Sequence, residues 1–64
     1  MPHNIERSAF RIGEFVGYGY GRVWRIFRAA GGRCYRAEVK SGPWHLPQEA
    51  PTLSSLSKLI GESA

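Results

Sequence analysis

Cys34, His3 and His45 are the residues of this chain that could most readily supply a nucleophile, a base or a metal ligand. Structural metal sites gather ligands in closely spaced pairs, and positions 3, 34 and 45 form no such pair. A Cys34–His45 nucleophile pair would also need an orienting partner and an oxyanion hole, and nothing in the sequence supplies them. An inert cysteine on a sheet is the simpler reading, so the expectation is of no catalytic residue, no metal and no cofactor. The run Gly17-Tyr18-Gly19-Tyr20-Gly21 invites comparison with phosphate loops. A dinucleotide fingerprint, however, needs glycine where Arg22 stands and a helix afterwards, whereas a strand-like run follows.

What remains is the chemistry of binding. Nine basic residues stand against five acidic ones, a net charge of +4, and seven of the nine are arginine. The planar guanidinium fork suits phosphate and carboxylate and stacks on aromatic rings, which fits an interaction surface; a GC-rich coding bias would give the same composition.

The 64 residues fit one domain, and a chain this small spends nearly all its apolar residues on one core. Little is left to wall a pocket of about 300 Å³ or more, the size that small-molecule sites need. The single cysteine fits a reducing, cytoplasmic setting, and no signal segment or run of about 20 apolar residues is visible, so no membrane association is expected.

Residues 1–9 are polar, lack periodicity and read as a flexible arm, leaving 10–64 as a single β-rich domain. Phe10 to Val16 reads as a first strand, bulged at Gly13, and the Gly/Tyr run as a turn. Residues 22–29 and 33–40, separated by Ala30-Gly31-Gly32, predict a β-hairpin. An even-numbered loop of two or four residues sets Trp24 and Ile26 beside Tyr35, Ala37 and Val39 on an apolar face. The opposite face then carries Val23, Arg25 and Phe27 with Cys34, Arg36, Glu38 and Lys40. An odd loop would mix charge into both faces.

Residues 43–47 (PWHLP) read as a short edge strand with Trp44 and Leu46 inward. Leu53, Leu56, Leu59 and Ile60 recur at helical spacing between Pro51 or Thr52 and Gly61, which predicts a short C-terminal helix with Ser54, Ser55, Ser57 and Lys58 toward water.

The segment from Phe10 to Ile26 resembles the opening of SH3-like small barrels such as Tudor-type modules, in which a Gly-acidic-x-Val strand leads through a glycine-rich turn into a second strand. The layout is also similar to that of small basic archaeal chromatin proteins, through Val23-Trp24-Arg25, the glycine-rich hairpin, Ala50-Pro51 and the leucine-striped terminal helix. That resemblance implies DNA binding by the sheet face bearing the tryptophan, whereas the register above buries Trp24. Those proteins are also rich in lysine, and only Lys40 and Lys58 occur here.

The expected fold is therefore α+β, mainly β: a curled antiparallel SH3-like sheet of about four strands with a short C-terminal helix. A three-stranded sheet lying flat on that helix, as in the arm-binding domains of some recombinases, uses the same elements. The expected function is low-specificity nucleic-acid binding through the hairpin's outer face, with Arg22, Arg25, Arg36 and Lys40 supplying charge and Phe27 or Tyr18 stacking. A cross-strand pair of Glu38 with Arg25 would make the same face an ordinary solvated surface. The alternative is a protein-interaction module gripping an acidic protein surface, such as a phage- or mobile-element-encoded modulator of a nucleoprotein complex. The proline-flanked edge with Trp44 and His45 would also suit a homodimer seam.

Overall fold

A computed structural model of the chain describes residues 2–61, with Ala30 described in its backbone alone. Met1 and residues 62–64, which the sequence reading assigned to the arm and to the end of the domain, lie outside the described residues. Five strands form one antiparallel sheet in sequence order: β1 Ile5–Arg7, β2 Phe15–Gly19, β3 Arg22–Arg28, β4 Tyr35–Ser41 and β5 Gln48–Ala50. One helix, α1 Leu53–Leu59, follows the last strand. The sheet does not close on itself, and no described helix is long and apolar enough to cross a membrane.

The β3–β4 hairpin has the expected even register. Trp24 faces Val39, Ile26 faces Ala37 and Arg28 faces Tyr35, and the Ala29 N–H donates to the Cys34 carbonyl at 2.9 Å, leaving a four-residue turn. Gly31 and Gly32 take φ of 77° and 67° there, a left-handed bend that a side chain disfavours. A bulge at Val23 and Trp24 lets Ser41 pair with Val23.

The Gly/Tyr run is strand over Gly17–Gly19 and turn only at Tyr20 and Gly21. Gly17 pairs with Trp24 and Gly19 with Arg22, so only Tyr20 and Gly21 make the connection, at φ of 53° and 68°. Two successive positive φ values define the two-residue turn whose twist matches the flanking strands. The glycines serve packing: a Cβ on Gly17 would lie 2.5 Å from Ile60 Cδ1 and 2.8 Å from Ile26 Cδ1, and one on Gly19 would overlap the Ile60 carbonyl oxygen. The end of α1 thus lies on bare β2 backbone, and the alternation sends Tyr18 to the outer surface.

The core is Ile5, Trp24, Ile26, Ala37, Ala50, Leu56 and Ile60, with Phe15, Tyr35, Val39 and Leu53 packed around it. Trp24 is fully buried and its indole N–H donates to the Gly19 carbonyl at 3.1 Å. Thr52 caps α1 by accepting from the Ser55 N–H, and Gly61, at φ 109°, ends it.

Several expectations are corrected. The segment read as a loose arm carries β1, because Ile5 buries in the core and Asn4 reaches α1: its amide donates to the Tyr18 and Ser57 carbonyls, and its oxygen accepts from the Ser57 hydroxyl. Ser57 is accordingly buried rather than turned to water, and Leu59 is largely exposed. Residues 10–14, expected as most of the first strand, form a loop together with residues 8 and 9. There Ser8 Oγ accepts from the N–H groups of Phe10 and Arg11, and Gly13 bends at φ 83°. Residues 43–47 are not a strand; β5 pairs with β4 instead, and Trp44 and Leu46 point to solvent.

If the close approach of α1 to β2 holds the fold, Gly19→Ala should cost about 3 kcal/mol, the upper end of the usual range for overpacking. Gly17→Ala, which meets only flexible isoleucine tips, should cost about 1 kcal/mol. Urea midpoints check the order, and equal losses would show that the Ile60 carbonyl does not sit against Gly19.

Candidate functional site

The register fixes the sheet face turned away from the core. Glu6 from β1, Val16 and Tyr18 from β2, Val23, Arg25 and Phe27 from β3, Arg36 and Glu38 from β4, and Glu49 from β5 share it. Of the expected binding residues, Tyr18, Arg25, Phe27 and Arg36 share this face and Lys40 lies beside Arg25 and Val16, whereas Arg22, paired with Gly19, does not belong to it; every acidic residue of the described strands stands on the same face.

Those acids engage the cations. Arg25 Nε donates to Glu14 Oε1 at 3.1 Å, and its guanidinium lies 4.8 Å from the centre of the Phe27 ring, covering it. Arg36 reaches Glu38 at 2.7 Å and Glu49 at 2.6 Å. Arg25 thus pairs with Glu14 rather than with Glu38, its cross-strand neighbour. Tyr18 donates its hydroxyl to Glu6 at 3.0 Å, which raises the phenol above its ordinary 10.0. Arg22 is spent on structure: Nε donates to the Pro43 carbonyl at 2.6 Å and Nη1 to the Tyr20 carbonyl at 2.8 Å, clamping the β2–β3 turn to the segment after β4. Of the cations expected to bind a partner, Lys40 alone is exposed without an ion pair among the described residues.

Uncompensated charge lies elsewhere. Arg7 ends β1, Arg11 sits in the 8–14 loop, Arg28 ends β3 and Arg33 sits in the β3–β4 turn. The antiparallel order brings these four to one end of the sheet. None makes an ion pair among the described residues. Arg28 is held in place by donating to the Gly32 carbonyl and the Tyr35 hydroxyl, with its guanidinium 5.2 Å from the Tyr35 ring centre.

Beside this end, a cavity of about 300 Å³ opens between the 8–14 loop and the outer sheet face, lined among others by Phe10, Arg11, Glu14, Val16, Arg25 and Lys40. A pocket of this size was not expected from so short a chain; its wall is a surface loop and long charged side chains rather than core residues. Hydrogen bonding from Arg25 holds the Glu14 carboxyl below its ordinary 4.5 against the opposing effect of burial, and the charges of Arg25, Arg11 and Lys40 add to the lowering.

The other end of the sheet carries a group of aromatic side chains. His45 stacks on Tyr20, with ring centres 6.2 Å apart, and meets Trp24 edge-on at 5.5 Å, so its neighbours Trp44 and Leu46 face outward, 75% and 61% exposed. Cys34 stands at the opposite end, with Sγ 4.0 Å from Glu49 Oε1, so Cys34 and His45 do not come together.

Sequence reasoning missed Phe10 and Arg11 because the loop was read as a strand; the Ser8 and Gly13 pair was the available signal. No family model matches this sequence, and no curated protein or solved structure matches it.

Because its folded pKa is depressed, the Glu14–Arg25 pair contributes stability above about pH 4.5 and loses it as pH falls through the folded value. Arg25→Ala should therefore move the Glu14 carboxyl titration upward toward 4.5 in a carbon-detected NMR pH series. An unchanged midpoint would show that Arg25 does not hold Glu14 in solution.

Proposed function

We propose that this protein binds nucleic acid through the arginine-bearing end of its sheet, contacting the phosphate backbone without reading sequence. The observation that carries this reading is the separation of charge. The broad outer face, with Arg25 and Arg36, is neutralised by Glu14, Glu38 and Glu49, while Arg7, Arg11, Arg28 and Arg33 share one end with no carboxylate partner among the described residues. Glu14 and Glu49 stand at the same end but are engaged by Arg25 and Arg36, and cations left in excess attract a polyanion and release its counterions on docking. Strands β1 to β4 are three spacings apart, so these arginines spread over about 14 Å, enough to meet several phosphates at once. Bidentate guanidinium contacts favour phosphate oxygens over other surface groups. The reading keeps the expected partner and moves the docking surface from the hairpin face to the sheet's end. Strand order and a helix spanning the sheet's two edges support regarding the fold as an SH3-like barrel left open between β1 and β5.

Four phosphate contacts give log affinity for duplex DNA a slope against log salt of about −4. Fluorescence anisotropy of a labelled duplex at several salt concentrations measures it. Arg28→Ala/Arg33→Ala should reduce the slope by about 2, whereas Arg36→Ala should change it by less than about 1. No binding at low salt, or equal effects of the two variants, would overturn the proposal.

The exposed Trp44 and Leu46 favour a second reading, a protein-interaction module, since aromatic residues anchor interfaces. On that reading a partner is retained from nuclease-treated lysate by the natural chain and lost by Trp44→Ser. Retention unaffected by the substitution, or dependent on nucleic acid, would count against it.

A further inference from the structure

We infer that the cleft between the 8–14 loop and the outer sheet face receives a single unstacked nucleotide, its phosphate against Arg11 and Lys40 and its base against Phe10. The inference rests on the nucleic-acid reading only for where such a nucleotide comes from; the cleft's own chemistry identifies the ligand class.

Charge comes first. Arg11, Arg25 and Lys40 line the cleft against Glu14 alone, an excess of two positive charges, and Glu14 is already taken by Arg25. Both remaining cations line the same cleft and both lower the Glu14 titration, so each acts on the space the carboxylate occupies. A phosphate monoester carries between about −1.5 and −2 near neutrality and offers three acceptor oxygens, which matches this excess.

Shape and apolar surface come next. Phe10 lines the same cleft with 91% of its surface exposed, although two N–H bonds to Ser8 Oγ brace its loop. A flat ring held in the open beside cations suits stacking of a base, since every base offers a π-face. The volume of about 300 Å³ lies at the low end of small-molecule sites, which suits one base with its sugar and phosphate rather than a longer stretch. Arg11 belongs to both surfaces, so a strand held across the arginine-bearing end can place its phosphorylated terminal nucleotide, a monoester, in the cleft. A phosphorylated peptide offers similar charge but a smaller ring, and it is tested alongside.

The test titrates the full chain with adenosine monophosphate, adenosine, inorganic phosphate and phosphotyrosine, followed by amide NMR shifts. Saturable binding of the nucleotide is expected, at least about tenfold tighter than for adenosine or phosphate alone. Phe10→Ala and Lys40→Ala, both at exposed positions, should each weaken it about tenfold. Arg28→Ala/Arg33→Ala should leave it within about twofold. No saturation at millimolar nucleotide, binding indifferent to both Phe10 and Lys40, or phosphotyrosine binding as tightly, would overturn the inference. Nucleotide binding by a chain that ignores duplex DNA would support the cleft and overturn only the preceding reading.

Discussion

Ile60, at the end of α1, rests on a stretch of β2 that has no side chains beneath it, and much of the molecule is arranged around that contact. Gly17 and Gly19 leave the space, so helix and strand approach to the distance of a backbone and a methyl group. Trp24, paired with Gly17, fills the volume beside them, and Ile26 and Leu56 complete the layer. A short helix is marginal alone, so α1 depends on this seat as much as the core depends on α1. The side chain between these two glycines must appear on the opposite face, which is why Tyr18 stands on the outer surface.

The helix also reconciles the two edges of the open sheet. It packs against β4 and β5 on one side, while Asn4, just before β1, joins it through Ser57 on the other. Buried amide and hydroxyl groups cost free energy unless paired, and here each satisfies the other. The curl of the sheet is therefore set by the width of a helix as well as by strand twist.

The β3–β4 register and α1 were legible in the sequence, because alternation over seven residues and a leucine stripe with a cap are long periodic signals. β2 was not, since Gly17 and Gly19 look like a turn until the helix that needs their absence of side chains is in place. The edges failed similarly. Ile5 gave no pattern within a three-residue strand, and the prolines around Trp44 mimicked an edge that Gln48–Ala50 in fact supplies. Of the outer sheet face, the sequence showed that Arg25, Phe27, Arg36 and Glu38 lie together but not how they pair. Glu14 and Glu49 come from segments whose placement depends on the whole sheet, and they neutralise Arg25 and Arg36. The charge left over, on Arg7, Arg11, Arg28 and Arg33, becomes a group only through strand order.

The tie between Asn4 and Ser57 has a bearing on how the chain folds. Neighbouring strands pair in the order in which they are made, so most contacts are short-range along the chain and suit rapid assembly. The Asn4–Ser57 bond is different: it joins groups 53 positions apart. Loop closure over that length is entropically the most demanding step, and it becomes possible only after α1 has left the ribosome. The central hairpins can assemble during synthesis, but the first strand must wait for the last helix to lock it in place.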